Sequence, residues 1–468
     1  MNTGNLDTRL AAQRAAFRRE APPGLIARRA DLLALRNALR ARREQFAAAV
    51  TADFGHRSPY ETALMEILTV VQGIDYQRHH LRQWMRSERR RVAMHFFPGR
   101  ARIIYQPLGV IGILSPWNYP ISLALMPLAT AIAAGNRAML KPSELTPATS
   151  ALLGDMLREL FPEEKVTVVI GGADVGAAFA ALPFDHIVFT GSTGVGRRVM
   201  RAASDHLVPV TLELGGKSPA IVEPKPALEQ AASSIAYGKL INAGQTCIAP
   251  DYALVHEGDT AAFVTAYTNA VRKLFPGGSA DPAYASIINA RHYDRLRGLL
   301  DDARTHGARI IEIEAAGRNG PREDRRLPPT VVLDTAPEMA LSKEEIFGPI
   351  LPIVPYRNVS DAIDYVNARP RPLALYVFTR DRPFRDLVLE RTTSGNVTVN
   401  DTLLHFAQDD LPFGGVGDSG MGAYHGKEGF LTLSHAKGVF DQARWNAGRL
   451  VRPPYGRITD ALLRYLVR

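Results

Sequence analysis

From Pro107 onward the sequence alternates short apolar runs with helical stretches, and no other feature constrains the fold as tightly. "GVIGILS" is followed by a helix through Ala134 that Gly135-Asn136 stops; then come "RAMLKP" and a helix opened by Thr146-Pro147. The series continues with "VTVVI" at 166–170, a short helix, "HIVFT" at 186–190, a helix from about Gly194, and "VPVTLEL" at 208–214. Parallel strands need crossover segments between them, so strand and helix alternating across short links imply a parallel, doubly wound sheet. Right-handed crossovers then place the loops after the strands along one edge, where such sheets bind ligands.

A second series follows Gly215: a helix over Leu228 to Asn242, the strand "YALVH", a helix over Thr260 to Leu274, and strands at "RIIEIE", "TVVL" and "GNVTVN". This reads as a second α/β lobe, as expected for a chain of 468 residues, too long for one ordinary core. The first hundred residues read mainly as helices, including Arg28 to Phe54 and Glu61 to Arg86, with apolar residues at spacings of three and four. "ARIIYQPLG" and the tail after "GDSG" read as arms that pack elsewhere.

Several classes are disfavoured. No apolar run reaches the roughly 18 residues of a membrane span, and no repeat or low-complexity tract is present. With 46% hydrophobic and 22% charged residues the chain reads as a globular protein. A single cysteine, Cys247, permits no internal disulfide and fits a reducing compartment. Met1 to Glu20 lacks the apolar core of a signal peptide, and Asp7 and Glu20 argue against a transit peptide, so the cytoplasm is the expected location. The net charge of +9 comes mostly from scattered arginines. The densest group, Arg82, Arg86, Arg89, Arg90 and Arg91, comes with no nucleic-acid motif and reads as a solvated helix face or an oligomer surface.

Five short motifs carry chemistry. "FTGSTGVGRRV" places Gly191, Gly194 and Gly196 where a strand turns into a helix, so backbone N–H groups and the helix N-terminus can face a phosphate; a plain turn fits the same residues. "LKPSE" sets Lys141 and Glu144 at a strand end, suited to ribose hydroxyls, although surface Lys-Glu pairs are common. In "ELGGKSP", Glu213 stands where the chain passes between lobes, a place where desolvation can raise a carboxylate toward a base's pKa; a capping glutamate is the plainer reading. Cys247 follows the polar run Gly244-Gln245-Thr246; a lone cysteine is more often a buried apolar residue than a nucleophile. Asn118 in "SPWNYP" follows another strand of the first sheet, and its amide could stabilise an oxyanion beside a thiol.

Together with "EEIFGP" at 344–349 and "LPFGGVGDSGMGAYHG" at 411–426, these motifs stand in an order that resembles the aldehyde dehydrogenase family from about residue 10 to residue 440. "NDTLLHFAQDDLPFGG" is similar to bacterial coniferyl aldehyde dehydrogenases of the class 3 branch.

The resemblance implies an α/β fold. Residues 1–87 and 107–214 would form a Rossmann-type NAD(P)-binding domain and 215–418 a catalytic domain. Segments 88–106 and 419–440 would form a small oligomerisation arm, ahead of a tail at 441–468. It further implies Cys247 as nucleophile, Asn118 as oxyanion donor and Glu213 as the base that activates water. Relatives that pass the acyl group to coenzyme A typically lack this glutamate, so Glu213 points to release of a free acid.

For the cofactor the resemblance assigns Lys141, Glu144, Gly191, Ser192, Gly196, Trp117, Leu214, Glu345 and Phe347. The expected cofactor is NAD, with NADP as a second possibility and no metal. Tyr119, His405, Phe406 and Phe413 are the expected pocket for an aromatic or medium-chain aldehyde, and the expected assembly is a homodimer without nucleic acid or membrane anchor. Two alternatives stay open. A noncatalytic homologue would have been signalled by loss of Cys247 or Glu213, both of which are present, and a thiol esterase would not need the nucleotide motifs.

Overall fold

The computed structural model describes residues 4–225, 228–315, 324–446, 448 and 452–467. Its six-stranded sheet runs in the order Gly420–Met421, Val210–Glu213, His186–Thr190, Val110–Leu114, Arg137–Lys141, Val166–Val168. Neighbours are parallel except at Gly420–Met421, where Gly420 pairs antiparallel with Glu213. Val110–Leu114 lies between Arg137–Lys141 and His186–Thr190, so successive crossovers depart on opposite sides and open a crevice at the strand ends.

Three of these strands are buried along their whole length, as expected for a parallel sheet covered on both faces. The helix Ser122–Ala134 is buried at all of its positions. A helix buried at every position must be covered on every side, and this one packs against the sheet and the helices Leu25–Ala41 and Thr69–Trp84. Burying each of its leucines and isoleucines contributes about 1.5–3 kcal/mol relative to exposure. Gly135 ends it at φ 89, a left-handed position that suits glycine.

The second sheet has the order Arg309–Glu312, Thr330–Leu333, Ile350–Tyr356, Tyr252–His256, Pro219–Val222, Ala374–Phe378, Asn396–Val399, parallel after the first pair. Sequence pattern pointed to four of these strands and passed over Pro219–Val222, Ile350–Tyr356 and Ala374–Phe378. Prolines disguise the second, because Pro352 and Pro355 argue against an interior strand. The structure accommodates them by handing the strand over. Residues 350–352 pair with one neighbour and 353–356 with the other, which leaves each proline a partner on one side only.

A three-stranded antiparallel sheet joins Glu88–Arg90, Arg100–Pro107 and Ser434–Asp441. The two arms expected to pack elsewhere therefore pack on each other. The arginine-rich stretch is not one helix face, since Arg82 lies on Thr69–Trp84 while Arg89 and Arg90 lie exposed on a strand. The helix expected over Arg28 to Phe54 breaks at Arg42 into Leu25–Ala41 and Arg43–Phe54. Within Glu61 to Arg86, a π-helical segment, Ala63–Leu68, precedes Thr69–Trp84. Among the described residues no helix is long and apolar enough to cross a membrane.

Candidate active site

The crevice contains a cavity of about 260 Å³ whose lining includes Trp117, Asn118, Glu213, Cys247, Glu345 and Phe347. Gly191, Ser192 and Leu214 line it too, so nine residues singled out from sequence motifs meet at one place. They arrive on loops after three adjacent strands of the six-stranded sheet and on two segments from the other lobe.

The cysteine loop is held in an unusual conformation. Asn242 and Ala243 both have φ 50 and Gly244 has φ 76, so three successive residues are left-handed just before Gln245-Thr246-Cys247. Side chains with a Cβ resist that region, and such strain persists only where surroundings enforce it. Here Asn242 Nδ2 donates to the carbonyls of Asn118 (2.9 Å) and Gln245 (3.2 Å). Gln245 Nε2 donates to Asn242 and Ser286, while its Oε1 accepts from Ile288 N–H. A Cβ on Gly244 would lie 2.3 Å from the Gly348 carbonyl oxygen, which leaves room for no other residue.

The Asn118 amide spends one N–H on the Gln245 carbonyl at 3.1 Å. Its second N–H is left for the cavity beside the half-buried Cys247. Burial, with Glu345 and Glu213 nearby, pushes the Cys247 thiol up to about 12, although its own and the Ile248 backbone N–H groups act the other way. The resting thiol is therefore protonated and needs a base. Glu213 is buried, neither carboxylate oxygen has a hydrogen-bond partner among the described residues, and desolvation raises its pKa well above the ordinary carboxylate range. A carboxylate in that condition is an acceptor for a proton.

The nucleotide motifs take matching places. Ser192 stands before the helix Thr193–Ser204, and its side chain makes no capping bond, so the helix N-terminus opens on the cavity wall with N–H groups free for an anion. Lys141 Nζ pairs with Glu144 at 2.8 Å at the end of a neighbouring strand, outside the cavity lining. Gly196 is also outside it, where a Cβ would strike Leu214 at 2.7 Å.

Glu345 lies against Gly215, whose missing Cβ would fall 2.2 Å from a carboxylate oxygen, and accepts from Gly216 N–H. Burial pushes it up to about 8, with Asp251 adding to the rise and Lys217 and Arg295 opposing it. Phe347, at φ 52, sets its ring 5.6 Å from that of Trp117. An uncapped helix N-terminus, a Lys-Glu pair at the next strand end and a glycine-cradled carboxylate fit a dinucleotide.

The four expected pocket residues do not line this cavity. Tyr119 is buried with its hydroxyl 2.8 Å from Thr246 Oγ1, so it braces the cysteine loop. His405 bonds to Thr398 and belongs with Phe406 and Phe413 to a ring cluster centred on His425 and Phe413.

Motif reading missed His292 and Arg295, which share one face of the helix Ala290–Thr305 and line the cavity. His292 packs on Trp117 with ring centroids 5.1 Å apart, and Arg295 donates to the backbone carbonyls of Glu345 and Ile346. Their spacing of three was visible in the sequence; which way that helix faces was not.

Residues 2–439 match the aldehyde dehydrogenase family. The chain is 50% identical over 428 residues to the coniferyl aldehyde dehydrogenase of Pseudomonas sp. (strain HR199 / DSM 7063), covering 91% of this chain and 88% of that one. It resembles Staphylococcus aureus AldH, solved in a substrate-bound state, with a TM-score of 0.92 and 36% identity over 98% of this chain and 99% of that one. It also resembles the Mycobacterium tuberculosis aldehyde dehydrogenase complexed with NAD+, with a TM-score of 0.85 and 31% identity over 93% and 90% of the two chains. The chain belongs to the aldehyde dehydrogenase family, enzymes that oxidise aldehydes with a nicotinamide dinucleotide.

Proposed function

We propose that this enzyme oxidises aromatic aldehydes of the cinnamaldehyde type, coniferyl aldehyde among them, to free carboxylic acids, with NAD preferred over NADP. One observation carries the chemistry: Cys247, Asn118 and the unpartnered Glu213 share a cavity with an uncapped helix N-terminus. The similarity to a coniferyl aldehyde dehydrogenase supports the aromatic substrate, while the ring cluster of His405, Phe406 and Phe413 stands outside the cavity lining. Tyr376 ties that cluster to the cysteine loop through its hydroxyl, which donates to the Ile248 carbonyl.

Ser192 and the N-terminus of its helix would hold the pyrophosphate, Lys141 and Glu144 the adenosine ribose, and Glu345 the nicotinamide ribose, with Trp117 and Phe347 near the nicotinamide. The bound dinucleotide supplies the hydride acceptor. Cys247 Sγ attacks the aldehyde carbon as its proton passes to Glu213, whose carboxylate has no hydrogen-bond partner among the described residues. The free N–H of Asn118 and the Cys247 backbone N–H hold the oxyanion. After the oxidation Cys247 carries a thioester, and Glu213, once it has released the thiol's proton to solvent, takes a proton from the water that cleaves the thioester. A protonated resting thiol suits this order, because the nucleophile forms only when a base is in place.

Glu144 favours NAD by repelling a 2′-phosphate. The enzyme works as a cytoplasmic homodimer, and sedimentation giving a tetramer would refute that assembly. The test of function is an NADH-absorbance screen of aldehydes with wild type and Cys247→Ser. The expected result is NADH from cinnamaldehyde-type substrates, with higher kcat/KM than short aliphatic ones, and none from the variant. Unimpaired turnover by Cys247→Ser overturns the mechanism.

A further inference from the structure

Beyond Gly420, the residue that pairs with Glu213, the chain reaches a buried polar cluster that the steps above leave unused. Tyr424 is 0% exposed and His425 1% exposed, yet the Tyr424 hydroxyl and both ring nitrogens of His425 have no hydrogen-bond partner among the described residues. The two oxygens of Glu213 are in the same condition. Buried hydroxyls and carboxylates without protein partners are rare, and where they converge the usual partner is an ordered water.

The chain path brings Tyr424 and Glu213 together. It runs from Gly420, paired with Glu213 across the sheet edge, directly to Tyr424, and a Cβ on Gly414 would come within 3.4 Å of Glu213 Oε1 and 2.0 Å of the Gly422 carbonyl oxygen. Besides burial, the Glu213 carboxylate also raises the pKa of the phenol.

The backbone of Tyr424 is fixed. Its carbonyl accepts from Thr130 Oγ1 at 3.0 Å, and Gly429 packs so closely that a Cβ there would lie 2.1 Å from the same oxygen. The His425 ring fills the space behind, 4.6 Å from the Tyr424 ring and 5.1 Å from Phe413, in surroundings that keep it uncharged. Desolvation and the two acidic groups keep the phenol protonated, so it presents an O–H donor that can also accept.

We propose that the Tyr424 hydroxyl and the Glu213 carboxylate together bind the water that hydrolyses the thioester on Cys247. This rests on the reading of Glu213 as base. In the step, the water oxygen bonds to the thioester carbon and one water proton passes to Glu213. The C–S bond then breaks with its electron pair leaving on Cys247 as thiolate, and the carboxylic acid departs. Tyr424 fixes the water's position and takes no part in the earlier attack of the thiol.

The test is rapid quench of enzyme mixed with NAD and cinnamaldehyde, followed by intact-mass measurement of the acyl group, in wild type, Tyr424→Phe and Glu213→Gln. Because Cys247 is the single cysteine, an acyl adduct labile to thiols reports on it alone. In Tyr424→Phe, the acyl-enzyme should form at the wild-type rate, with one NADH released per site, and then decay at least tenfold more slowly. Added hydroxylamine, a nucleophile that needs no positioning by the phenol, should restore the decay. Acyl-enzyme that decays at the wild-type rate, or slow turnover without accumulation of acyl-enzyme, overturns the inference. Wild-type decay in Glu213→Gln overturns instead the reading of the base beneath it. Folding is controlled within the same experiment, since stoichiometric acylation requires an intact site.

Discussion

The guanidinium of Arg57, wholly buried, donates to the backbone carbonyl of Asn118 at 3.2 Å and to Glu66 Oε1 at 2.9 Å. Glu66 Oε2 in turn accepts from the N–H groups of Ile121 (2.7 Å) and Ser122 (3.2 Å), at the start of the buried helix. The helical start of the chain thereby holds the oxyanion loop from behind. Removing one partner of a buried pair leaves a charge uncompensated, at a cost of about 3–5 kcal/mol. Arg57→Met should lose stability on that scale in urea unfolding, and Arg57→Lys should lose less.

Asn118→Ala removes the side-chain oxyanion donor without touching the nucleotide motifs. Loss of one such donor costs about 10²–10³ in kcat. The variant should show that loss in NADH production while its affinity for NAD, read by fluorescence quenching, stays at the wild-type value.

The thiol offers a direct pH test. With Cys247 pushed up to about 12 by burial and neighbouring carboxylates, the thiolate fraction rises tenfold per pH unit across the working range. Alkylation of the free enzyme by iodoacetamide should therefore climb steadily between about pH 7 and about pH 9. A plateau beginning near neutrality would contradict the burial of the thiol.

His186 sets a pH dependence of stability. Burial lowers it from 6.5 to about 4, with its Nε2 2.8 Å from Thr211 Oγ1. The folded state then holds fewer protons than the unfolded state between these values, so the contribution is complete above 6.5 and is lost as pH falls to about 4. Its full size is about 3 kcal/mol. Glu345, raised to about 8, titrates in the opposite sense, so the test is a difference. His186→Gln should flatten the fall in wild-type stability between these pH values, measured by thermal unfolding across the range.

Glu144 is the group to change for cofactor choice. Its side chain is partly exposed and held by Lys141 below the usual carboxylate range, so it is charged where a 2′-phosphate would approach. Glu144→Gln should raise the NADP to NAD ratio of kcat/KM, and an unchanged ratio would place discrimination elsewhere.

The sequence made the parallel sheet legible because strand period, helix period and turn residues all agreed from Val110 to Glu213. It also brought out Cys247, Glu213 and Asn118, since each lies in a loop at a strand end or lobe junction. What escaped were residues whose role depends on direction rather than pattern. Arg57, His292 and Arg295 belong to none of the motifs, and their roles come from where their side chains point. Tyr119 and Phe413 were visible as aromatics, yet pattern alone does not tell a wall from a brace. Glu66 points inward from a π-helical segment that no propensity announces.

The pairing of Gly420 with Glu213 also orders events in time. Five strands of the first sheet can assemble as soon as their own residues emerge from the ribosome, but the edge beside Glu213 waits for two hundred further residues of synthesis. A chain lacking Gly420 and Met421 would therefore lack the strand that flanks Glu213 at this edge.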